Sequence, residues 1–356
     1  MPRFGSYPAE DVTFLLKDLS GLMDETGLAD REEAIQSGHH YCEMLPIEYR
    51  PTPEYQGLFH RSLTASAGRV AECVAIVADR VVAVHGPDVV LVSLARAGTP
   101  VGVLLRRYLS ARHRLDVPHY SISIIRGRGL DMNAVTHVRR THAGRPVQFV
   151  DGWTGKGAIQ RELIGACRQG PAAGLAPELA VLADPGHCTP LFGTRDDFLV
   201  PSACLNATVS GLVSRTVLRR DLIGSRDFHG AKFYRELAAE DVSNLFVDVV
   251  SAHFTEFGPA TAPPSGDGPV TWEGERAVAR IGERYAIGDV NLIKPGVGEA
   301  TRVLLRRLPW KILVHPDRLG ELEHLVVLAD ERGVEVERYA DMSYAACGLI
   351  RPLGFD

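Results

Sequence analysis

The chain has 356 residues, 45% hydrophobic and 23% charged, with a formal net charge of −5, an ordinary globular composition long enough for two domains. The acidic balance excludes a global attraction to nucleic acid, so RNA contact has to come from a local basic patch. Six cysteines (Cys42, Cys73, Cys167, Cys188, Cys204, Cys347) without CxxC spacing exclude a zinc ribbon or disulfide framework. They predict a reducing cytoplasm.

In chain order, residues 1–60 are irregular and rich in Tyr, Pro and Glu. MPRFGSYPAEDV carries no apolar signal core, and no run approaches the ~18 apolar residues of a membrane span. A soluble, cytoplasmic protein away from membranes is expected. DVTFLLKDLS predicts a short strand or helix, and EYRPTPEYQGLF a loop, from its prolines. SLTASAGRVAECVAIVADRVVAVHG has apolar positions at helical spacing. DVVLVSL is a buried strand, VGVLLRRYLSARH a helix, HYSISII an alternating strand, and PVQFVD a strand running through a Gly-rich turn into the helix AIQRELIGACR. ELAVLADP is another strand ending in an acid, and FHGAKFYRELAAEDVSNLFVDVVSAHF reads as helical. Strands alternating with helices predict an α/β fold with a parallel sheet. GPATAPPSGDGPVTW, with three Gly and four Pro, marks a linker over 258–272. The rest, 273–356, is about 80 residues of α/β pattern, enough for a small domain.

The turn after PVQFVD, GWTGKGA, places small residues, backbone N–H groups and a helix N-terminus where an anion can sit. Thr154 adds a hydroxyl and Lys156 a charge, and Asp151 stands at the strand end, where ligands of open α/β sheets bind. Upstream, ARAGTP repeats the strand-to-helix turn, and between the two lies the basic segment IIRGRGLDMNAVTHVRR. Together these motifs resemble the type I phosphoribosyltransferases. That resemblance implies a parallel-sheet core over about 61–190 with a hood and acceptor elements from 1–60 and 190–257. It places Asp151 on ribose, and Gly152, Thr154, Gly155, Lys156, Gly157 and Ala158 around a 5′-phosphate. Ser93, Arg96, Ala97, Gly98 and Thr99 match a loop that holds the leaving diphosphate. Arg126 and Arg128, with Arg139 and Arg140 beyond them, fall where the family has a mobile closing loop. Gly152 stands where the family has its second acid. The implied chemistry is displacement of diphosphate from phosphoribosyl diphosphate by an unidentified acceptor. Asp151, Arg96, Arg126 and Arg128 are the catalytic set, and Mg²⁺ is carried on the substrate oxygens rather than in a protein metal site. Tyr41, Glu43 and Glu48 from the N-terminal region, with Asn206, Ser210, Ser214 and Arg215 from PSACLNATVSGLVSRT, are candidate acceptor-binding residues.

In the tail, KPGVGEATR resembles the RNA-binding signature of the Pelota and kink-turn superfamily, which implies RNA contact through Lys294, Gly296, Gly298, Glu299, Arg302 and Arg306. Between Lys294 and Lys311 there are five basic residues and one acid, a local patch suited to phosphates. The two parts together resemble bacterial proteins of tellurium-resistance and stress operons, some of which carry a cysteine protease label. A nucleoside-like product is the implied role, with a homodimer left open. Two alternatives stand beside it. One is a non-catalytic nucleotide-sensing RNA-binding regulator. The other is a cysteine protease, for which Cys188 follows His187 and Cys42 follows His39 and His40.

Overall fold

Four buried strands, Val90–Ala95 (β2), His119–Ile125 (β3), Val147–Val150 (β4) and Ala180–Ala183 (β5), three of them mostly apolar and β3 carrying the buried polar residues His119, Ser121 and Ser123, form the middle of a parallel sheet. Apolar residues on both faces are what a strand covered on both sides requires. Thr13–Phe14 (β1) adds to one edge and Leu191–Thr194 (β6) to the other, giving the order β1-β3-β2-β4-β5-β6, all parallel. The two-residue strand Gly129–Leu130 pairs antiparallel with the end of β3. In a computed structural model, residues 4–27, 38, 40–48, 50–258 and 269–351 are described. Of the linker expected over 258–272, residues 259–268 lie outside the described residues.

Helices cover both faces. Pro53–His85 (α1), Gly98–Tyr108 (α2) and Ser243–Ala252 (α5) bury Phe59, Val74, Val101, Leu105 and Phe246 against Leu91 and Leu182. On the other face, Met132–Thr141 (α3) and Ala158–Ala166 (α4) bury Val135, Val138 and Leu163 against Val90, Val92, Leu94 and Phe149. The alternation of Leu91 with Val90 and Val92 is the period-2 pleat that assigns each residue a side.

Three expected elements differ. PEYQGLF is not a loop but the first two turns of α1, with Pro53 in its opening turn, where the missing N–H costs nothing. The basic segment after β3 is a loop only at 126–128; the rest is β-bridge and α3, capped by Asp131. The stretch from Phe228 is not one helix. Gly230–Ala231 is a strand, Arg235–Glu240 a 3₁₀ segment, and only Ser243–Ala252 is α-helical.

The C-terminal unit is a four-stranded mixed sheet of Ile293–Pro295 (β7), Pro309–Val314 (β8), Glu335–Arg338 (β9) and Ala346–Ile350 (β10), in the order β7-β10-β8-β9. Glu273–Arg284 (α6) packs on one face. Val297–Arg306 (α7) and Glu323–Glu331 (α8) pack on the other. Among the described residues, no helix is long and apolar enough to cross a membrane.

The unit meets the core through several hydrogen bonds, among them those of Trp272 N and Gly274 N to the His187 and Gly186 carbonyls and of the Ser343 and Tyr344 hydroxyls to the Pro185 and Gly155 carbonyls, and through one buried carboxylate. Asp197 accepts hydrogen bonds from the backbone N–H of Val297 at 3.0 Å, Ala345 at 2.9 Å and Ala346 at 3.4 Å. Burial pushes its carboxyl up to about 6, with those N–H groups pulling the other way.

Candidate active site

The carboxyl ends of β2 and β4 and the opening of α4 form a cleft of about 250 Å³, closed by residues of the C-terminal unit. The core side comprises Ala97, Arg126, Asp151 and the turn Trp153–Gln160, and the tail side Ile293, Lys294, Pro295, Glu299 and Arg302. The two turns singled out in the sequence meet here: a Cβ on Gly98 would stand 2.4 Å from the Val150 carbonyl, so only glycine lets α2 start this close to β4.

Within the turn, Gly157 has φ of 80° and room for a Cβ neither beside Trp272 nor beside Cys188. The Thr154 hydroxyl is buried and donates to Asp184, while accepting from Gly186 N. Asp184 also pairs with Arg195 and accepts from Cys188 N and Thr189 N. The Thr154 oxygen is therefore occupied in holding the next βα turn. Asp151 is at the cleft, its Oδ1 2.8 Å from Gly152 N, and burial pushes its carboxyl up to about 7. Lys156 lines the cleft with Nζ on the Val290 carbonyl at 2.5 Å; burial, then the charges of Lys294 and Arg126, pull it down to about 8.

The upstream turn is mostly interior. Ser93 is fully buried, its hydroxyl 3.0 Å from the Gly98 carbonyl and 2.7 Å from His119 Nε2. Thr99 is likewise buried against the Ser121 hydroxyl at 2.8 Å. Arg96 turns away to Glu48 at 3.0 Å and the Val213 carbonyl. Of the candidate acceptor residues, Ser210 bonds to the Asn206 carbonyl and Ser214 to Arg215 O and Lys232 N. Arg215 stacks over the Tyr41 ring at 5.3 Å. Arg139 reaches the Pro171 and Ala173 carbonyls, apart from the cleft.

Tyr41, Glu43, Arg126 and Arg128 do come together. The Tyr41 hydroxyl accepts from Arg126 N at 2.9 Å, and the Arg128 guanidinium lies 3.5 Å from Glu43. Between them stands a pair noted in the sequence only as neighbours: His40 Nδ1 is 2.9 Å from Cys42 Sγ. His40 caps the 3₁₀ turn Tyr41–Glu43, and this turn brings a ring two residues upstream back onto the thiol. His40 Nε2 lies 3.1 Å from the Arg126 carbonyl. A carbonyl can only accept, so Nε2 carries the proton and the Nδ1 lone pair is shared between the Cys42 backbone N–H at 3.3 Å and the thiol. Cys42 is buried, with the Leu218 carbonyl as a second acceptor at 3.8 Å. Burial raises its thiol above the usual range, and the Arg128 charge works in the opposite direction. His39 lies outside the described residues.

Cys188 differs. Its Sγ faces the Gly186 carbonyl at 3.3 Å and the Gly155 carbonyl at 3.8 Å, and burial pushes it up to about 12. No histidine ring is among its hydrogen-bond partners within the described residues.

The KPGVGEATR turn faces the core. Gly296 (φ 98°) precedes α7, and a Cβ on Gly298 would stand 2.8 Å from that of Ala203. Arg302 pairs with Glu299 at 2.7 Å, donates to the Ala203 carbonyl at 3.1 Å and lies 5.0 Å over Trp153. The Arg306 side chain lies outside the described residues. Trp153, Asp184 and Asp197 were not singled out from sequence; the acid closing ELAVLADP was the one signal that pointed to Asp184.

A family model described as tellurite-like stress resistance cysteine protease StiP matches residues 5–251, and one described as PELOTA RNA binding domain matches 272–352. A protein of Acinetobacter baylyi (strain ATCC 33305 / BD413 / ADP1) named "Cysteine protease StiP" is 34% identical over 366 residues, covering 98% of this chain and 94% of that protein. These findings overturn the expectation of a pentosyltransferase, since the family description names a hydrolase acting through cysteine. The reasons for phosphoribosyl diphosphate, an acceptor and substrate-carried Mg²⁺ rested on that reaction. The physical departure is visible at the turn, where the hydroxyl of Thr154 is committed to Asp184.

Proposed function

The chain belongs to the StiP family of tellurite-like stress resistance cysteine proteases, and from that premise we propose that it cleaves peptide bonds with Cys42 as nucleophile and His40 as base. The observation that carries the assignment is the 2.9 Å approach of His40 Nδ1 to Cys42 Sγ, with the Arg126 carbonyl fixing the opposite ring nitrogen. This is the nucleophile, base and orienting group arrangement that thiol catalysis uses, with a carbonyl in the third place. In the first step the Sγ proton passes to Nδ1 and the thiolate adds to the scissile carbonyl carbon. Collapse breaks the C–N bond, and the imidazolium returns the proton to the departing amine. Water, deprotonated by the same Nδ1, then hydrolyses the thioester and restores the thiol. Cys42 is fully buried, so substrate entry has to open the turn at Tyr41–Glu43; burial raises the thiol above its usual range, and the Arg128 charge favours the thiolate.

The test is cleavage of a fluorescent casein by the full chain. Cys42→Ala and His40→Ala abolish cleavage while Cys188→Ala preserves it. Loss in Cys188→Ala with retention in Cys42→Ala would assign the nucleophile to the other thiol, and retention in both would remove thiol catalysis.

RNA binding by the C-terminal unit is a second reading, supported by the match over 272–352. The packing of Gly298 and Arg302 on Ala203 and Trp153 supports contact through surfaces other than the KPGVGEATR turn. Salt-dependent filter binding of RNA that survives Arg302→Ala agrees with this, and binding lost in that variant contradicts it.

A further inference from the structure

We propose that Asn291 of the C-terminal unit is a positioning residue for the Cys42–His40 pair, acting through Arg126, whose carbonyl orients the base. Resting on the peptidase reading, this assignment makes the docked tail a working part of the site rather than an appendage to it.

The backbone of Arg126 touches the catalytic turn twice. Its N–H donates to the Tyr41 hydroxyl at 2.9 Å, and its carbonyl accepts from His40 Nε2 at 3.1 Å. Its guanidinium lies over the Tyr41 ring at 5.8 Å. A carbonyl orients a ring only as well as the carbonyl itself is held, and a base displaced by a fraction of an ångström loses rate. The loop after β3 is free to move by its own backbone: Gly127 and Gly129 both have positive φ, 74° and 83°. Two side chains outside the loop fix it. Glu162 of α4 accepts from Gly127 N at 2.8 Å, and the Asn291 side-chain oxygen accepts from Arg126 Nη1 at 3.3 Å.

Asn291 is seated by the tail. It lies in the 3₁₀ turn Val290–Leu292, whose cap Asp289 accepts from Asn291 N at 2.8 Å. The turn runs directly into β7. Lys156 Nζ donates to the Val290 carbonyl at 2.5 Å, so the core grips the same turn a second time. The position of the Asn291 oxygen is therefore set by the docking of the C-terminal unit.

Charge gives this contact its consequence. Lys156 and Lys294 both lie within range of repulsion from Arg126, and Glu299 alone among these neighbours attracts it. Without the Asn291 oxygen the guanidinium moves away from the ammoniums, and the glycine-flanked loop follows it. Substrate entry sharpens the effect. Opening the Tyr41–Glu43 turn loosens the two contacts of Tyr41 with Arg126. The holds from Asn291 and Glu162 lie outside that turn, so they keep the carbonyl in place while the thiol reacts.

The experiment is steady-state cleavage of fluorescent casein by the full chain, read as kcat and KM separately. Asn291→Ala is expected to lower kcat about three- to tenfold, the loss of one hydrogen bond expressed as rate, with KM unchanged. Asn291→Asp keeps an acceptor oxygen toward the guanidinium and is expected to retain the wild-type kcat. Asn291 is exposed, so both variants are expected to melt with the wild type. Unchanged kcat in Asn291→Ala, an equal loss in Asn291→Asp, or a change confined to KM overturns the assignment and leaves Cys42 and His40 standing. No cleavage by the wild type overturns the peptidase reading and the assignment with it.

Discussion

Replacing Asp197 by Ala removes a buried carboxylate at the contact of the two units. It leaves three backbone N–H groups, of Val297, Ala345 and Ala346, without their acceptor in a buried interface. Each orphaned buried donor costs about 1–3 kcal/mol. Water entering the space left by the side chain recovers part of that, so a net loss on the order of 3–6 kcal/mol is expected. A domain is commonly stable by only about 5–15 kcal/mol, so the loss is a large fraction of what holds the tail in place, beside the remaining contacts at His187, Gly186, Pro185 and Gly155. Urea unfolding of the full chain, followed by far-UV circular dichroism and by tryptophan fluorescence, reads it. Trp153 lies under Arg302 at the contact and Trp310 lies within the C-terminal sheet. Asp197→Ala is expected to shift the fluorescence transition to lower urea than the dichroism transition, with Asp197→Asn intermediate because it keeps one acceptor oxygen. Coincident transitions at the wild-type midpoint would refute the reasoning that this carboxylate holds the tail.

Two further outcomes follow from the cleft. Lys156 and Lys294 are both held near 8, below their unfolded value of 10.5. The unfolded chain therefore binds more protons between about pH 8 and 10, and their contribution makes stability rise with pH across that window. Thiols and phenols also titrate there, so the readable quantity is the difference between wild type and Lys294→Met in urea midpoints at pH 7.5, 8.5 and 9.5. The gap is expected to narrow as pH rises, and a constant gap contradicts the shifted lysine. At the turn, Thr154→Val deletes the hydroxyl that joins Asp184 to Gly186 N. It is expected to cost about 1–3 kcal/mol in the same unfolding assay, and an unchanged midpoint would show that the hydroxyl is not holding the turn.

Much of the core is legible in the chain itself. DVVLVSL, HYSISII and PVQFVD are apolar runs bounded by turn residues, and a strand buried on both faces leaves that trace. The glycines and small residues of ARAGTP and GWTGKGA mark turns where backbone approaches backbone, as Gly98 does against Val150. Purpose is less legible. Ser93 is a hydroxyl within a strand and Thr154 one in the turn after a strand, and nothing in their spacing tells whether the oxygen faces a ligand or a neighbouring carboxylate or imidazole. KPGVGEATR carries charge and glycine, but its seat against Trp153 and Ala203 is a long-range contact without periodicity. His40 and Cys42 are visible as neighbours, yet the 3₁₀ turn that folds ring onto thiol depends on the Arg126 carbonyl, 86 residues away. PEYQGLF was obscured by prolines that a helix tolerates in its first turn.

The central claim is that Cys42 is the nucleophile, and the most direct measurement is where a substrate-like electrophile attaches. The full chain is incubated with a peptidyl chloromethyl ketone, digested, and mapped by mass spectrometry. A single adduct on Cys42, absent in His40→Ala, is the predicted result, and an adduct on Cys188 with Cys42 unmodified would contradict it.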